Sequence, residues 1–200
     1  MKQAIHFGGG NIGRGFIGEL LVRSGYEVTF VDVADALVDE INARRSYDIE
    51  VVGDKPKKIH VEHVKAINSN KDLDALLAAF VTADIVTTAI GPNILKFIAP
   101  NIAKGIARRL EKTDAPLNII ACENMVGGST VLKNFVYEHL ADDVKAKVDR
   151  CIGFPDAAEA HAHGLGNVLG TKVGGEDQHS VLEVHHASLA VGEATVFQHL

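Results

Sequence analysis

Two hundred residues, 46% apolar and 23% charged, match the composition of a packed globular domain and not that of a disordered chain. A chain of this length buries roughly two thirds of its unfolded surface, so it needs no disulfide or metal staple. A formal net charge of −6 with no basic cluster speaks against a nucleic-acid partner, and no apolar run approaches the ~20 residues that cross a bilayer.

The chain opens with a strand-like run, "QAIHF" (Gln3–Phe7), that stops at glycine and has no signal-peptide character. "NIGRGFIGELLVRSG" follows with helical spacing. Ile12, Phe16, Leu20 and Leu21 are predicted as its buried face, and Gly25 as its C-cap. "YEVTFVDV" is a second strand, β-branched and aromatic, with Asp32 at its end. "ADALVDEINARR" predicts a helix burying Leu37, Val38 and Ile41.

Residues 47–67 interrupt this rhythm with two strand-like arms about "GDKP", and they predict a hairpin-like insertion. A helix in "KDLDALLAAF" and a strand in "ADIVTTAIG", ending at Gly91, restore the alternation. In "PNILKFIAPNIAKGIARRLEK" Pro92 suits a first helical position, whereas Pro100 predicts a break or kink. "PLNIIACEN" is a strand, "GGSTVLKNFVYEHL" a helix and "CIGF" a short last strand. Such alternation predicts an α/β fold, a doubly wound parallel sheet with helices on both faces.

From Ala158 the composition changes. Residues 158–200 contain no Ile, Arg or Pro, yet hold six of the ten histidines. This segment is predicted to be an atypical tail with no assigned elements. Its "HAH" (His161, His163) and "HH" (His185, His186) lack the spacing and thiol partners of a familiar zinc site, so no metal is expected. Cys122 and Cys151 show no metal or redox spacing and are expected to be reduced thiols of a cytoplasmic protein.

Gly8, Gly10 and Gly13 form G-x-G-x-x-G between a strand and a helix. The first glycine permits the turn, the second admits a pyrophosphate to the backbone, and the third packs helix on sheet. The helix N-terminus favours an anion. Asp32 lies 19 residues after Gly13, where its carboxylate can accept from a ribose diol and repel a 2′-phosphate, so NAD is expected over NADP. Arg14 is a candidate to reach a phosphate oxygen, and Gly91 to let its loop run beside the cofactor. Asn124, at a strand's carboxyl end, is a candidate donor to a substrate oxygen, with a backbone-bonding turn residue as the alternative.

"AIHFGGGNIGRGFIG", "TTAIGPNIL", "LNIIACENMVGGST" and "GFPDAA" together resemble the polyol-specific long-chain dehydrogenase family over residues 1–157. The resemblance implies a Rossmann-type NAD-binding domain and metal-free oxidation of a polyol phosphate, D-mannitol 1-phosphate to D-fructose 6-phosphate. It places Phe7, Gly8, Gly9, Gly10, Asn11, Ile12, Gly13, Arg14 and Gly15 against the cofactor, with Asn124 assisting the substrate oxygen. The family continues into a helical domain that carries a lysine general base. Here "DAAEAHAHGLGNVLG" stands instead, and Lys172, the one lysine of the tail, has no family motif around it. The expectation is therefore that residues 158–200 are not family sequence, as after a change of reading frame, and that the lysine domain is absent. Three functions stay open: the polyol-phosphate dehydrogenase, a sibling acting on another polyol or sugar acid, and an NAD-binding module without catalysis.

Overall fold

Ala4, Ile5, His6 and Phe7 of β1 (Lys2–Phe7) are all sealed from solvent, as a central strand covered on both faces must be. The computed structural model describes residues 1–51, 56–156 and 196–199. β1 is flanked by β2 (Tyr26–Asp32) on one side and β6 (Ile85–Thr88) on the other. β5 (Val64–Asn68) lies outside β2, and β7 (Leu117–Ala121) and β8 (Ile152–Gly153) lie outside β6. The order is β5-β2-β1-β6-β7-β8, and every pairing is parallel. This is the doubly wound Rossmann-type sheet that the alternation predicts.

Alternate residues of each strand feed two cores. Ile5, Phe7 and Val31 pack with Phe80 of α3 (Leu73–Thr82) and with Ile102 and Ile106 of α4 (Leu95–Leu110). Leu132 of α5 (Gly128–Tyr137) and Val148 of α6 (Asp142–Cys151) complete that side. Ala4, Val28 and Phe30 pack on the opposite side with Leu21 of α1 (Glu19–Arg23) and Val38 and Ile41 of α2 (Asp35–Arg44). Sequence gave no signal for α6, whose ten residues bury fully only Val148.

The glycine-led helix differs from its expected face. A π-helical stretch over Gly13–Gly18 runs directly into α1, and Ile17 and Leu21 are buried while Ile12 is 64% exposed. The i→i+5 winding shifts the register. Gly13 and Gly18 face the sheet because a Cβ at Gly18 would come within 2.6 Å of the Phe30 ring. Apolar spacing therefore read the stripe in part: Leu21 is buried and Phe16 packs against the core as expected, whereas Ile12 is exposed and the closest approach is made by glycine.

The expected hairpin is present, with β3 (Ser46–Val51) antiparallel to β4 (Lys57–Glu62). Most of its predicted turn lies outside the described residues. Its second arm is shorter than predicted. His63, at φ +60°, ends β4, and the chain re-enters the main sheet as β5. Val64 and Ala66 are buried there, which exposed hairpin positions would not allow. β9 (Val196–His199) pairs antiparallel with β3 as a third strand of that small sheet.

Pro100 does not divide its helix. A 3-10 turn over Pro92–Ile94 leads into α4, which continues through Pro100 to Leu110. Pro100 is the sixth residue of α4, so one backbone bond is lost near its start, while buried Ala99, Ile102, Ala103 and Ile106 hold both sides in one stripe.

Candidate functional site

The strand order reverses beside β1, so a crevice opens beyond the carboxyl ends of β1 and β6, where open α/β sheets take their ligands. The loops after β1, β2, β6 and β7 share that edge. Gly8–Gly10, Gly91 and Asn124 lie in the loops after β1, β6 and β7, and Asp32 is the last residue of β2.

Gly8 has φ +104°, and its N–H donates to the Val31 carbonyl at 2.9 Å. A Cβ there would lie 2.5 Å from the Ala89 carbonyl oxygen, so the loops after β1 and β6 touch at a point that only glycine permits. A Cβ on Gly13 would collide with the Gly8 carbonyl and approach His6 Nε2 to 2.9 Å. Gly10 is different: it is exposed, and nothing lies within 4 Å of where its Cβ would project. The fold needs Gly8 and Gly13, whereas Gly10 keeps the backbone open to the crevice. The following helical turn has amide N–H groups without intrahelical acceptors on that side.

Asp32 ties the loop to the neighbouring turn. Gly9 N–H donates to its Oδ2 at 2.7 Å, and Val33 and Ala34 N–H donate to Oδ1 at 2.7 and 3.0 Å. A carboxylate offers about four acceptor positions, so three donors leave one for a ligand hydroxyl. Capping the next turn and facing a ribose are thus compatible tasks for Asp32.

Arg14 lies elsewhere than a phosphate-facing side chain would. It is 7% exposed, its Nη1 donates to the Gly9 carbonyl, and its own carbonyl accepts from Tyr47 Oη at 2.7 Å. Burial lowers the guanidinium pKa and raises that of the Tyr47 hydroxyl. Beside it, His6 is fully buried, with Nδ1 2.7 Å from Thr87 Oγ1, and desolvation lowers its pKa to about 3. Among the described residues, His6 Nε2 and Arg14 Nε are the buried side-chain atoms without a hydrogen-bond partner. Both belong to residues that touch the glycine loop.

On the far side of the crevice is Glu123, which the sequence places beside Asn124 at the strand's carboxyl end without indicating a task. It is 5% exposed and accepts from Thr88 Oγ1 at 2.6 Å, Ile90 N–H at 3.0 Å and Gly91 N–H at 2.7 Å. It thereby fixes the loop of Gly91, which has φ +91° and open space at its Cβ position. The partners lie 32 to 35 residues earlier, so no local pattern announces them. Asn124 is exposed at the end of the same strand and forms no hydrogen bond among the described residues, leaving its amide available.

The other expected positions are divided. The Phe7 side chain is in the core, and its carbonyl accepts from Ala89 N–H at 2.9 Å. Asn11 and Ile12 are exposed and Gly15 is half-buried. Lys172 and the four histidines of "HAH" and "HH" lie outside the described residues. Among the described residues no group of three His, Cys, Asp or Glu is arranged to hold a metal, and no helix is long and apolar enough to cross a membrane.

A family model described as the mannitol dehydrogenase Rossmann domain matches residues 2–159. The mannitol-1-phosphate 5-dehydrogenase of Oceanobacillus iheyensis is 52% identical over 158 residues, which is 79% of this chain and 41% of that protein. The Brevibacillus brevis enzyme of the same name is 56% identical over 156 residues, 78% of this chain and 40% of that protein. The chain thus spans about two fifths of the length of the curated relatives it matches. Among solved structures, Pseudomonas fluorescens mannitol 2-dehydrogenase, a ternary complex with NAD and D-mannitol, has a TM-score of 0.65 at 13% identity, covering 80% of this chain and 44% of that one. A D-sorbitol dehydrogenase has a TM-score of 0.61 at 15% identity, covering 76% and 41%. At these identities the likeness to solved structures is one of fold.

Proposed function

The chain belongs to the mannitol dehydrogenase family, and from that premise we propose that it binds NAD along the carboxyl edge of its sheet. We assign it as the dinucleotide-binding part of an enzyme that oxidises D-mannitol 1-phosphate to D-fructose 6-phosphate, acting in the cytoplasm. The observation that carries the reading is the open backbone at Gly10, linked through the Gly9 N–H to Asp32. That set suits a dinucleotide: amide donors for a pyrophosphate and an anionic acceptor for a ribose hydroxyl.

Each residue has a separate task. Gly10 and the helical turn after it present N–H donors to the pyrophosphate, and Asp32 uses its remaining acceptor position for the ribose. A 2′-phosphate there would face the Asp32 carboxylate, so NAD is favoured over NADP. Asn124 donates its amide to the substrate oxygen, which gains charge as its proton leaves. NAD, when bound, accepts the hydride from the carbinol carbon. Oxidation also needs a group that takes the hydroxyl proton. The family resemblance puts that lysine in a second domain, and the described residues supply the cofactor site. The names of the relatives support mannitol 1-phosphate as the substrate of the whole protein.

Calorimetric titration of the chain and of Asp32→Ala with NADH and NADPH tests the assignment. A hydrogen bond to a charged group contributes roughly 1.5–3 kcal/mol, so Asp32→Ala is expected to weaken NADH binding about 10- to 100-fold and to narrow the gap to NADPH. Unchanged affinity for both ligands would remove Asp32 from the site.

A further inference from the structure

We infer that Arg14 is a positioning residue for the dinucleotide pyrophosphate: by drawing the Gly9 carbonyl inward, it turns the Gly10 N–H outward into the crevice. The inference rests on the reading that this site binds NAD.

The peptide joining Gly9 and Gly10 is planar and trans, so its C=O and N–H point in opposite directions. Its carbonyl accepts from the buried Arg14 guanidinium, which fixes one direction as inward. The Gly10 amide must then point the other way, away from the buried guanidinium, and Gly10 itself is exposed. Two glycines flank this peptide, and glycine permits both the present orientation and its reverse at little steric cost. The peptides on either side are held by Asp32 and by the Arg14 N–H, and the bond from the Arg14 side chain is the one made to this peptide's own carbonyl.

Tyr47 supports the same arrangement from the insertion. Its hydroxyl donates to the Arg14 carbonyl at 2.7 Å, and its ring packs against Phe30 with centroids 6.1 Å apart. A Cβ on Gly18 would lie 2.8 Å from that hydroxyl oxygen, so the glycine-led helix and β3 are in close contact here. The hairpin insertion is thus a prop under the loop.

The Asp32 and Glu40 carboxylates act on Arg14 through their charge, but none of the ion pairs among the described residues includes it, and its Nε has no partner. A buried cation held this way is costly, and an anion at the loop above it offsets that cost. A bound pyrophosphate is an anion of that kind.

The experiment is NMR titration of the 15N-labelled chain with NADH, ADP-ribose and adenosine, for wild type and Arg14→Met. Met keeps the apolar stem and removes the donors. The expected result is a loss of about 10-fold or more in affinity for NADH and ADP-ribose, with adenosine affinity held within about twofold. Arg14→Lys, which restores one donor, is expected to recover part of the loss. Equal loss for adenosine and NADH would make Arg14 merely structural, and unchanged NADH affinity in Arg14→Met would also overturn the inference. Should Arg14→Met fail to fold, the wild-type spectra decide. The Gly10 amide and Arg14 guanidinium signals must shift with ADP-ribose and not with adenosine, and silence at either site overturns the inference. Failure of the wild-type chain to bind NADH would overturn the functional reading, and this inference with it.

Discussion

His6 is held neutral in the middle of the sheet, directly beneath the glycine loop, and this makes it a pH-dependent liability. Its folded pKa is about 3 against 6.5 for the free side chain. Between those values the unfolded chain binds the extra proton, so stability falls as pH drops below about 6.5 and continues to fall toward pH 3. The slope contributed by this one group approaches about 1.4 kcal/mol per pH unit. Urea denaturation from pH 7 to 5 is expected to show it, ahead of the paired carboxylates, which lose their contribution at lower pH. In His6→Leu the slope over that interval should flatten; an unaltered slope would assign it to other groups. The spacing of Gly8, Gly10 and Gly13 and the place of Asp32 at a strand end are read from the sequence, whereas the contact of Gly8 with Ala89 and the bond from Gly9 to Asp32 are made across the sheet. The inward turn of Arg14 and the bridge from Glu123 to Gly91 were not legible either, since each depends on a contact that only the fold creates.

Elements were legible where periodicity and burial coincide. The strands about the glycine loop, the hairpin and the helices at α2 to α5 follow from spacing. Three departures share one cause, which is that tertiary packing outweighs the local signal. Glycine shares the packed face of the first helix with Ile17 and Leu21, a positive φ at His63 moved half an arm into another sheet, and the core carried α4 through Pro100. Pro100 leaves the Lys96 carbonyl without its helical donor. Pro100→Ala is therefore expected to stabilise the chain by roughly 1–3 kcal/mol in urea denaturation. A loss of stability would show that packing of the ring matters more than the missing bond. At the start of α5, Asp156 accepts from Thr130 N–H at 3.0 Å and from its hydroxyl at 2.6 Å. Asp156→Ala should cost about 1 kcal/mol, as loss of a helix N-terminal cap does. No change in the denaturation midpoint would mean that water replaces the carboxylate fully.

At the scale of the molecule, the reversal of strand order puts the residues of all four loops on one edge. Asp32 and Glu123 stiffen the two sides of the crevice through backbone amides, and the small sheet props the loop from behind through Tyr47. Ile12, Val33, Ile94, Phe97 and Val126 are exposed apolar residues on the segments that follow β1, β2, β6 and β7. Such a mixture is typical of small-molecule sites, where apolar area contributes affinity and a few polar groups set orientation. The central claim is that this edge holds NAD, and thermal unfolding of the intact chain with added dinucleotide tests it most directly. A ligand at 100 times its Kd contributes about 2.7 kcal/mol, which for a chain of this size raises Tm by roughly 5–10 °C. Saturating NADH is predicted to produce such a rise, and NADPH at the same concentration a smaller one. An unchanged Tm with millimolar NADH, or a larger rise with NADPH, would contradict the account.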